Sequence, residues 1–398
     1  MMYNKSSEVM QIMKHTRILT LLLAAMLTLC PLAASAGDAL PALTDHGLDV
    51  ASHSVHYPQL TGLADSALEE RLNARLLALG QIEAQIARLP LLLSSPTPLT
   101  VDYTAFMAGD VFSCALSLKG PVEDLRPTHV RAAMNVDLTT GKDITLDMLF
   151  TQPDEAVAAM EAMLEQEVLP ALSAHLRASE LLPLPDTFTL SAQGLTLYYP
   201  IDRLCTLSDL AGAVTFTWGE LREWLDLSEG SVLRRIGAYD TVTLKSSSAQ
   251  SIAACVEEGR LPGIPAALSD SVQALTDRYH MLTDPDLYEG GRMFALEDAA
   301  FRGVWLLTDA LTRSWDKSTV QGVRCDRVSF YGLLSGHTTI EAWREVLGEP
   351  DATVQVDAER AQSWRIVPGT SDYYVFGEHR LRLHADESGV LTTLFLTR

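Results

Sequence analysis

The stretch from Phe188 to Trp224, FTLSAQGLTLYYPIDRLCTLSDLAGAVTFTWGELREW, constrains the fold more than any other of its length. Phe188 and Leu190, then Leu195, Leu197 and Tyr199, alternate with polar neighbours on either side of Gln193-Gly194. That period of two is the signature of a half-buried hairpin. Val214, Phe216 and Trp218 resume the alternation after a loop from Pro200 to Gly212. The pattern then switches to helical spacing, with Leu221, Trp224 and Leu225 on one face of a helix predicted over 220–227. A sheet with a loop at its edge follows from these residues; a chemistry does not.

The same alternation recurs upstream. Residues 51–63 read as an extended entry strand ended by Pro58 and Gly62. Leu68, Leu72, Leu76 and Leu79 recur at helical spacing behind Asp65 or Ser66 as cap. Strands are predicted over 99–107, 110–118 and 129–138, the last turned by Thr140-Gly141-Lys142. A long helix is predicted from Ala156 to Leu176, with Pro153 and Asp154 at its start. From Ser228 to about Leu268 the pattern loosens into turn formers, KSSSAQS and RLPGIP, which predicts a linker over 229–268. Beyond it, strands are predicted at 301–307, 328–333, 361–366, 372–376, 379–383 and 390–396. Thr338-Thr339 caps a helix through Ile340, Trp343 and Val346, and Gly348-Glu349-Pro350 stops it. The expected class is α+β, in two domains, residues 37–228 and 269–398, each an antiparallel sheet with helices packed on it.

The N-terminus adds an address. Lys14, His15 and Arg17 precede an apolar run from Ile18 to Leu29, and Ala34-Ser35-Ala36 offers small residues for cleavage, so residues 1–36 read as an export signal. The run is short for a bilayer span, and cleavage or retention as an anchor stays open. No later stretch is long and apolar enough to span, so no transmembrane segment is expected in the mature chain. The 398-residue chain carries a formal charge of −21. Loss of Lys5, Lys14 and Arg17 against Glu8 alone would make it more negative. A field of that sign argues against nucleic acid and favours a cationic partner. Export leaves Cys114, Cys205, Cys255 and Cys325 in an oxidising compartment; Cys114 with Cys205 and Cys255 with Cys325 is the economical pairing, and free buried thiols are the alternative.

Signatures of catalytic chemistry are few. The sequence has no His-Glu-x-x-His, no Gly-x-Ser-x-Gly elbow, no Walker loop and no Rossmann glycine run. Ser335, between Gly332 and Gly336, has the wrong spacing for a nucleophile. His53 and His56 fall on opposite strand faces, and His379 and His384 share that odd spacing, which spoils joint metal ligation. Asp284, Asp286 and Glu289 form an oxygen-rich stretch without EF-hand spacing, read as a solvated turn with calcium as the alternative. Trp218, Trp224, Trp305, Trp343 and Trp364 fall at apolar positions and read as packing residues. No cofactor, metal or catalytic residue is assigned.

Val136 to Phe150, VDLTTGKDITLDMLF, followed by a helix, then FTLSAQGLTLYYP and VTFTWGELREWL, resembles the domain of unknown function found outside the membrane in the anti-sigma factor RsiV and ahead of the catalytic domain in PdaC-like peptidoglycan deacetylases. YPQLTG with Leu68 to Asn73 resembles its N-terminal half, so the likeness covers about residues 50–228. It implies an α+β fold at the cell envelope and binding of cell-wall glycan or a cationic, lysozyme-like extracellular protein. Where the family carries Pro-Tyr after the hairpin, this chain has Pro200-Ile201. Residues 330–398 are similar, over a short span, to outer-membrane-assembly lipoprotein and β-lactamase-inhibitor-protein modules, which bind rather than catalyse. The expected function is an exported, non-catalytic binding or sensing protein, with contacts at Tyr198, Tyr199, Asp202 and Arg203. An envelope hydrolase using unidentified carboxylates and a surface-assembly module are the alternatives.

Overall fold

The structure, a computed structural model, describes residues 41–121, 127–168, 183–199, 213–278, 281–288, 291–296, 303–309 and 317–398. Residues 1–36, read as the export signal, lie outside the described residues, as do Asp202, Arg203 and Cys205. The fold is α+β, with several sheets and helices on them.

The first sheet has five strands in sequence order. β1 (Ala42–Val50), absent from the sequence reading, forms a hairpin with β2 (His53–Thr61). Pro58, expected to end the entry strand, lies inside β2 opposite Asp45. α1 (Ser66–Leu79) begins where predicted, with the Asp65 carboxylate accepting from the backbone N–H of Ala67 and Leu68. It buries Leu68, Leu72 and Leu76. Asn73 clamps β2, accepting from the Leu60 N–H and donating to the Leu60 carbonyl, both at 2.8 Å. α2 (Ile82–Leu92) completes a crossover to β3 (Thr100–Ala108), β4 (Val111–Pro121) and β5 (Pro127–Asp137). Because two helices return the chain in its original direction, β2 and β3 pair in parallel, which departs from the expected all-antiparallel sheet. The Thr140-Gly141-Lys142 turn is held by Asp137, whose carboxylate accepts from the N–H of Thr139 and Thr140, with Gly141 at φ 70°.

The second layer contains α3 (Pro153–Met163) and a three-stranded sheet in the order β6 (Phe188–Leu190), β7 (Gly194–Tyr198), β8 (Ala213–Thr217). The hairpin and third strand therefore form as the opening stretch dictates. The helix expected over 220–227 does not form. Tertiary partners claim its residues first: the Glu220 carboxylate accepts from Arg327 Nε at 2.7 Å, the Trp224 carbonyl accepts from Thr151 N–H at 2.8 Å, and Leu225 bridges to Phe150.

The expected linker is instead helical and packed. α4 (Val232–Arg235), α5 (Ala238–Val242) and α6 (Ser248–Glu257) occupy it. Val232, Leu233, Ile236 and Val242 join the core under the three-stranded sheet, while Ile252 and Val256 join the next core along. Helices of four or five residues carry too few turns to leave a periodic signal.

The remaining chain builds an eight-stranded sheet. It contains α7 (Val272–Arg278), β9 (Met281–Tyr288), β10 (Gly291–Leu296), β11 (Val304–Thr308), β12 (Val320–Cys325), the hairpin β13 (Ser329–Phe330) and β14 (Leu333–Leu334), then α8 (Ile340–Leu347), β15 (Ala352–Val356), α9 (Ala358–Trp364), β16 (Gly369–Phe376), β17 (His379–Asp386) and β18 (Leu391–Thr397). The sheet order is β15-β16-β17-β18-β12-β11-β10-β9. Residues 361–366, predicted as a strand, belong to α9 and its C-terminal turn. Asp357 caps that helix through the Arg360 N–H at 2.8 Å, and Arg365 ends it at φ 54°. Asp284 and Asp286, read as a solvated turn, lie within β9. α8 buries Trp343, whose indole N–H donates to Asp372 at 2.9 Å.

The eight-stranded and three-stranded sheets share a polar seam. Arg327 makes a two-pronged contact with Glu220, its Nε donating at 2.7 Å, and also donates to the Thr215 carbonyl. Ser329 Oγ accepts from the Gly219 N–H at 3.0 Å, and Leu334 enters the core around Trp218. Gly332, at φ 81°, passes so close to the backbone of Leu244 that any Cβ would collide with it. Among the described residues no helix is long and apolar enough to cross a membrane.

Candidate functional site

The three-stranded sheet has one apolar and one polar face because its strands alternate. Leu195, Leu197, Tyr199, Val214 and Phe216 enter the core. Thr189, Thr196 and Thr215 stand directly opposite one another across the three strands, and therefore on a common face. Tyr198 and Thr217 extend that face by the same alternation. The hydroxyls pair: Thr196 Oγ1 with Thr215 Oγ1 at 2.8 Å, and Tyr198 Oη with Thr189 Oγ1 at 2.9 Å. Thr217 Oγ1 donates to Glu220, which carries the row to the seam with Arg327.

A hydroxyl pair spends one of its two hydrogens and leaves lone pairs open. Thr196 and Thr215, both half-buried, thus keep donor and acceptor capacity on a preformed surface. The Tyr198 ring adds an apolar body with a polar tip.

The two tyrosines expected as contacts separate. Tyr199 is 4% exposed and belongs to the core, and its hydroxyl is buried without a partner. Burial pushes its phenol up, and the charge of Glu161 adds to the shift. Its expected role as a surface contact is therefore corrected: of the pair, Tyr198 is the one left half-buried on the polar face. Because β7 is the central strand, Tyr198 ends the sheet rather than lining its lateral edge. The threonine row is the polar half of the alternation whose apolar half makes the core.

The other candidates are structural. Cys114, Cys255 and Cys325 are free thiols, so the proposed Cys255–Cys325 bridge is absent and Cys114 is unbridged. Burial pushes the thiols of Cys114 and Cys325 up to about 12, which makes them poor nucleophiles. His53 is buried, with its Nδ1 accepting from the Leu99 N–H at 2.9 Å and its Nε2 on the Leu92 carbonyl. His56 lies between Asp45 at 3.1 Å and Asp49 at 3.3 Å; the Asp45 hydrogen bond leads in raising its pKa. His379 Nδ1 lies on the carbonyls of Val256 and Glu257. Ser335 Oγ accepts from the Val328 N–H, a turn contact. Among the described residues no group of three or more His, Cys, Asp or Glu could hold a metal ion.

No family model and no curated relative matches the chain. Among solved structures, a DUF3298 family member from Bacteroides fragilis is similar at 12% identity and a TM-score of 0.39, over 50% of this chain and 99% of its own. A DUF3298 family protein from Pseudomonas aeruginosa matches at 13% identity and a TM-score of 0.34, over 48% of this chain and 96% of its own. A DUF4309 family protein from Bacillus subtilis matches at 12% identity and a TM-score of 0.24, over 38% and 96%. Likeness at this level assigns no activity.

Proposed function

We propose that this chain is an exported, non-catalytic recognition protein of the cell envelope, binding wall glycan through the hydroxyl face of the three-stranded sheet. The observation that carries the reading is the half-buried Thr196-Thr215 pair beside Tyr198: open hydroxyl valences next to an aromatic ring suit a ligand that is itself a lattice of hydroxyls and apolar ring faces. The same face offers a surface to a cationic extracellular protein such as a lysozyme. The net charge of −21 would speed that encounter by steering rather than by tight contact.

Calorimetric titration with soluble muropeptide and, separately, with lysozyme tests the reading. Saturable binding of at least one is expected, and Tyr198→Ala or Thr196→Val should weaken it at least about tenfold, which is about 1.4 kcal/mol. Salt should weaken the lysozyme arm far more than the muropeptide arm. Absence of binding in both arms, or affinity untouched by these variants, overturns it.

A further inference from the structure

The eight-stranded sheet has its own outward face, and its register there is unusual. Tyr373 stands opposite Arg382, Arg382 opposite Phe395, Phe395 opposite Arg324, and Arg324 opposite Trp305. Directly opposed residues share a face, so one straight row across five neighbouring strands alternates ring, guanidinium, ring, guanidinium, ring. The opposite face carries Leu306, Val323, Leu381, Leu383, Leu394 and Leu396, which fill the core.

The two arginines differ in what compensates them. Arg324 donates to Asp326 at 2.8 Å and to the Arg365 carbonyl at 2.7 Å. Arg382 has no carboxylate partner among the described residues. Its guanidinium carbon sits 4.2 Å from the ring centre of Trp364, 4.7 Å from Phe395 and 5.6 Å from Tyr373. Its Nε donates to Ser371 Oγ at 3.0 Å, while its Nη2 is buried with no partner. Burial lowers its pKa, and the neighbouring Arg324 adds to the lowering.

Arg382 is also fixed in place. The His384 Nε2–H donates to the Val367 carbonyl at 2.8 Å, so Nδ1 is the acceptor and takes the Ser371 hydroxyl hydrogen at 2.8 Å. Ser371 Oγ is then left to accept from Arg382 Nε. Ser371 and His384 are fully buried, so this relay works as a bracket and not as a nucleophile. A rigid cation held by rings, short of one acceptor and lacking a counter-charge, in a chain of strongly negative net charge, lacks only a bound anion.

We propose that the Arg382 guanidinium, with its ring cage and Arg324 beside it, is a binding site for an oxyanion, a carboxylate or a phosphate, presented by a small ligand. With Nε spent on Ser371 and Nη2 enclosed, the anion takes a charge-assisted hydrogen bond from the remaining guanidinium nitrogen, and the rings strip water from the contact. The site lies on a different sheet from the hydroxyl face, and neither depends on the other.

The test uses the full chain with arginine Nε labelled by ¹⁵N, titrated with N-acetylalanine and, in a parallel arm, with inorganic phosphate, against sodium chloride at matched ionic strength. Saturable movement of the Arg382 Nε–H signal in either arm, with a rise in thermal midpoint, is the expected result, and the responding arm identifies the anion. Arg382→Lys should weaken the effect at least about tenfold, since an ammonium cannot keep the Ser371 contact or stack among the rings, while Tyr198→Phe should leave it unchanged. If neither anion moves the signal beyond the chloride control, the row is purely structural and the proposal fails. Because the readout is on wild-type protein, a variant that fails to fold does not blunt it.

Discussion

Two sheet faces in this molecule obey the same alternation and hold opposite chemistry. On the three-stranded sheet the positions left over from core packing are threonines, neutral and bonded to one another. On the eight-stranded sheet they are arginines wedged between rings, with a buried histidine and serine as support. The apolar half of each pattern makes the sheet. The polar half decides what the sheet can recognise, and the two halves are set independently. Hydroxyls suit a neutral polyol at modest cost in desolvation, whereas an uncompensated guanidinium is costly to bury and gains from an anion.

The contrast can be broken at several strengths. Largest should be Asp372→Ala. Asp372 is fully buried and accepts from Trp343, Thr353 and both prongs of Arg344. Burial opposes its ionisation, but these hydrogen bonds hold its pKa below the ordinary range. Removal strands those donors and should cost about 3–5 kcal/mol in chemical denaturation. Phe216→Ala, which empties a fully buried position behind the hydroxyl face, should cost about 3–5 kcal/mol with a similar readout. Were the two substitutions to melt different parts of the protein at different denaturant concentrations, the sheets would be shown to unfold separately. Glu220→Gln, which weakens the seam without cutting into either core, should cost about 1–3 kcal/mol and bring any such transitions further apart.

The pH response sharpens the comparison further. Burial, then the charge of Arg382 against hydrogen bonds that favour protonation, leaves the pKa of His384 below its ordinary 6.5. A histidine depressed on folding contributes stability that is intact above the unfolded value and is lost as pH falls below about 6.5. His56, with its raised pKa, acts in the opposite sense, so the test is the difference: in thermal melts from pH 7.5 to 5 the wild type should lose more midpoint than His384→Gln. Thr196→Val should leave that slope unchanged, because the threonine hydroxyls do not titrate in this range. Smallest of all, Thr215→Val should change stability by only about 0.5 kcal/mol, because one hydroxyl of a half-buried pair is replaced by an isosteric methyl on a good strand former.

Much of the architecture was readable from residue order. The helix capped by Asp65, the hairpin about Gln193-Gly194 and the helix capped by Thr339 all carry local signals, and each forms as expected. Where long-range contacts outbid local preference the chain departs from its pattern: Trp224 and Leu225 are drawn to Thr151 and Phe150, so residues 220–227 do not coil; residues 358–364 coil for a local reason, the Asp357 cap. The Arg382 row was illegible for a different reason. Tyr373, Arg382, Phe395, Arg324 and Trp305 lie far apart along the chain, and only strand order and register place them side by side. Tyr198 and Tyr199 show the limit within a single strand, since alternation demands opposite faces and leaves packing to choose which one is buried.

Hydrogen–deuterium exchange of the full chain, with and without saturating soluble muropeptide, tests most directly whether the hydroxyl face is where recognition happens. Slowed exchange confined to β7, β8 and their immediate flanks, with the eight-stranded sheet unchanged, is the predicted result. Protection absent from β7 and β8, or appearing only elsewhere, would contradict it.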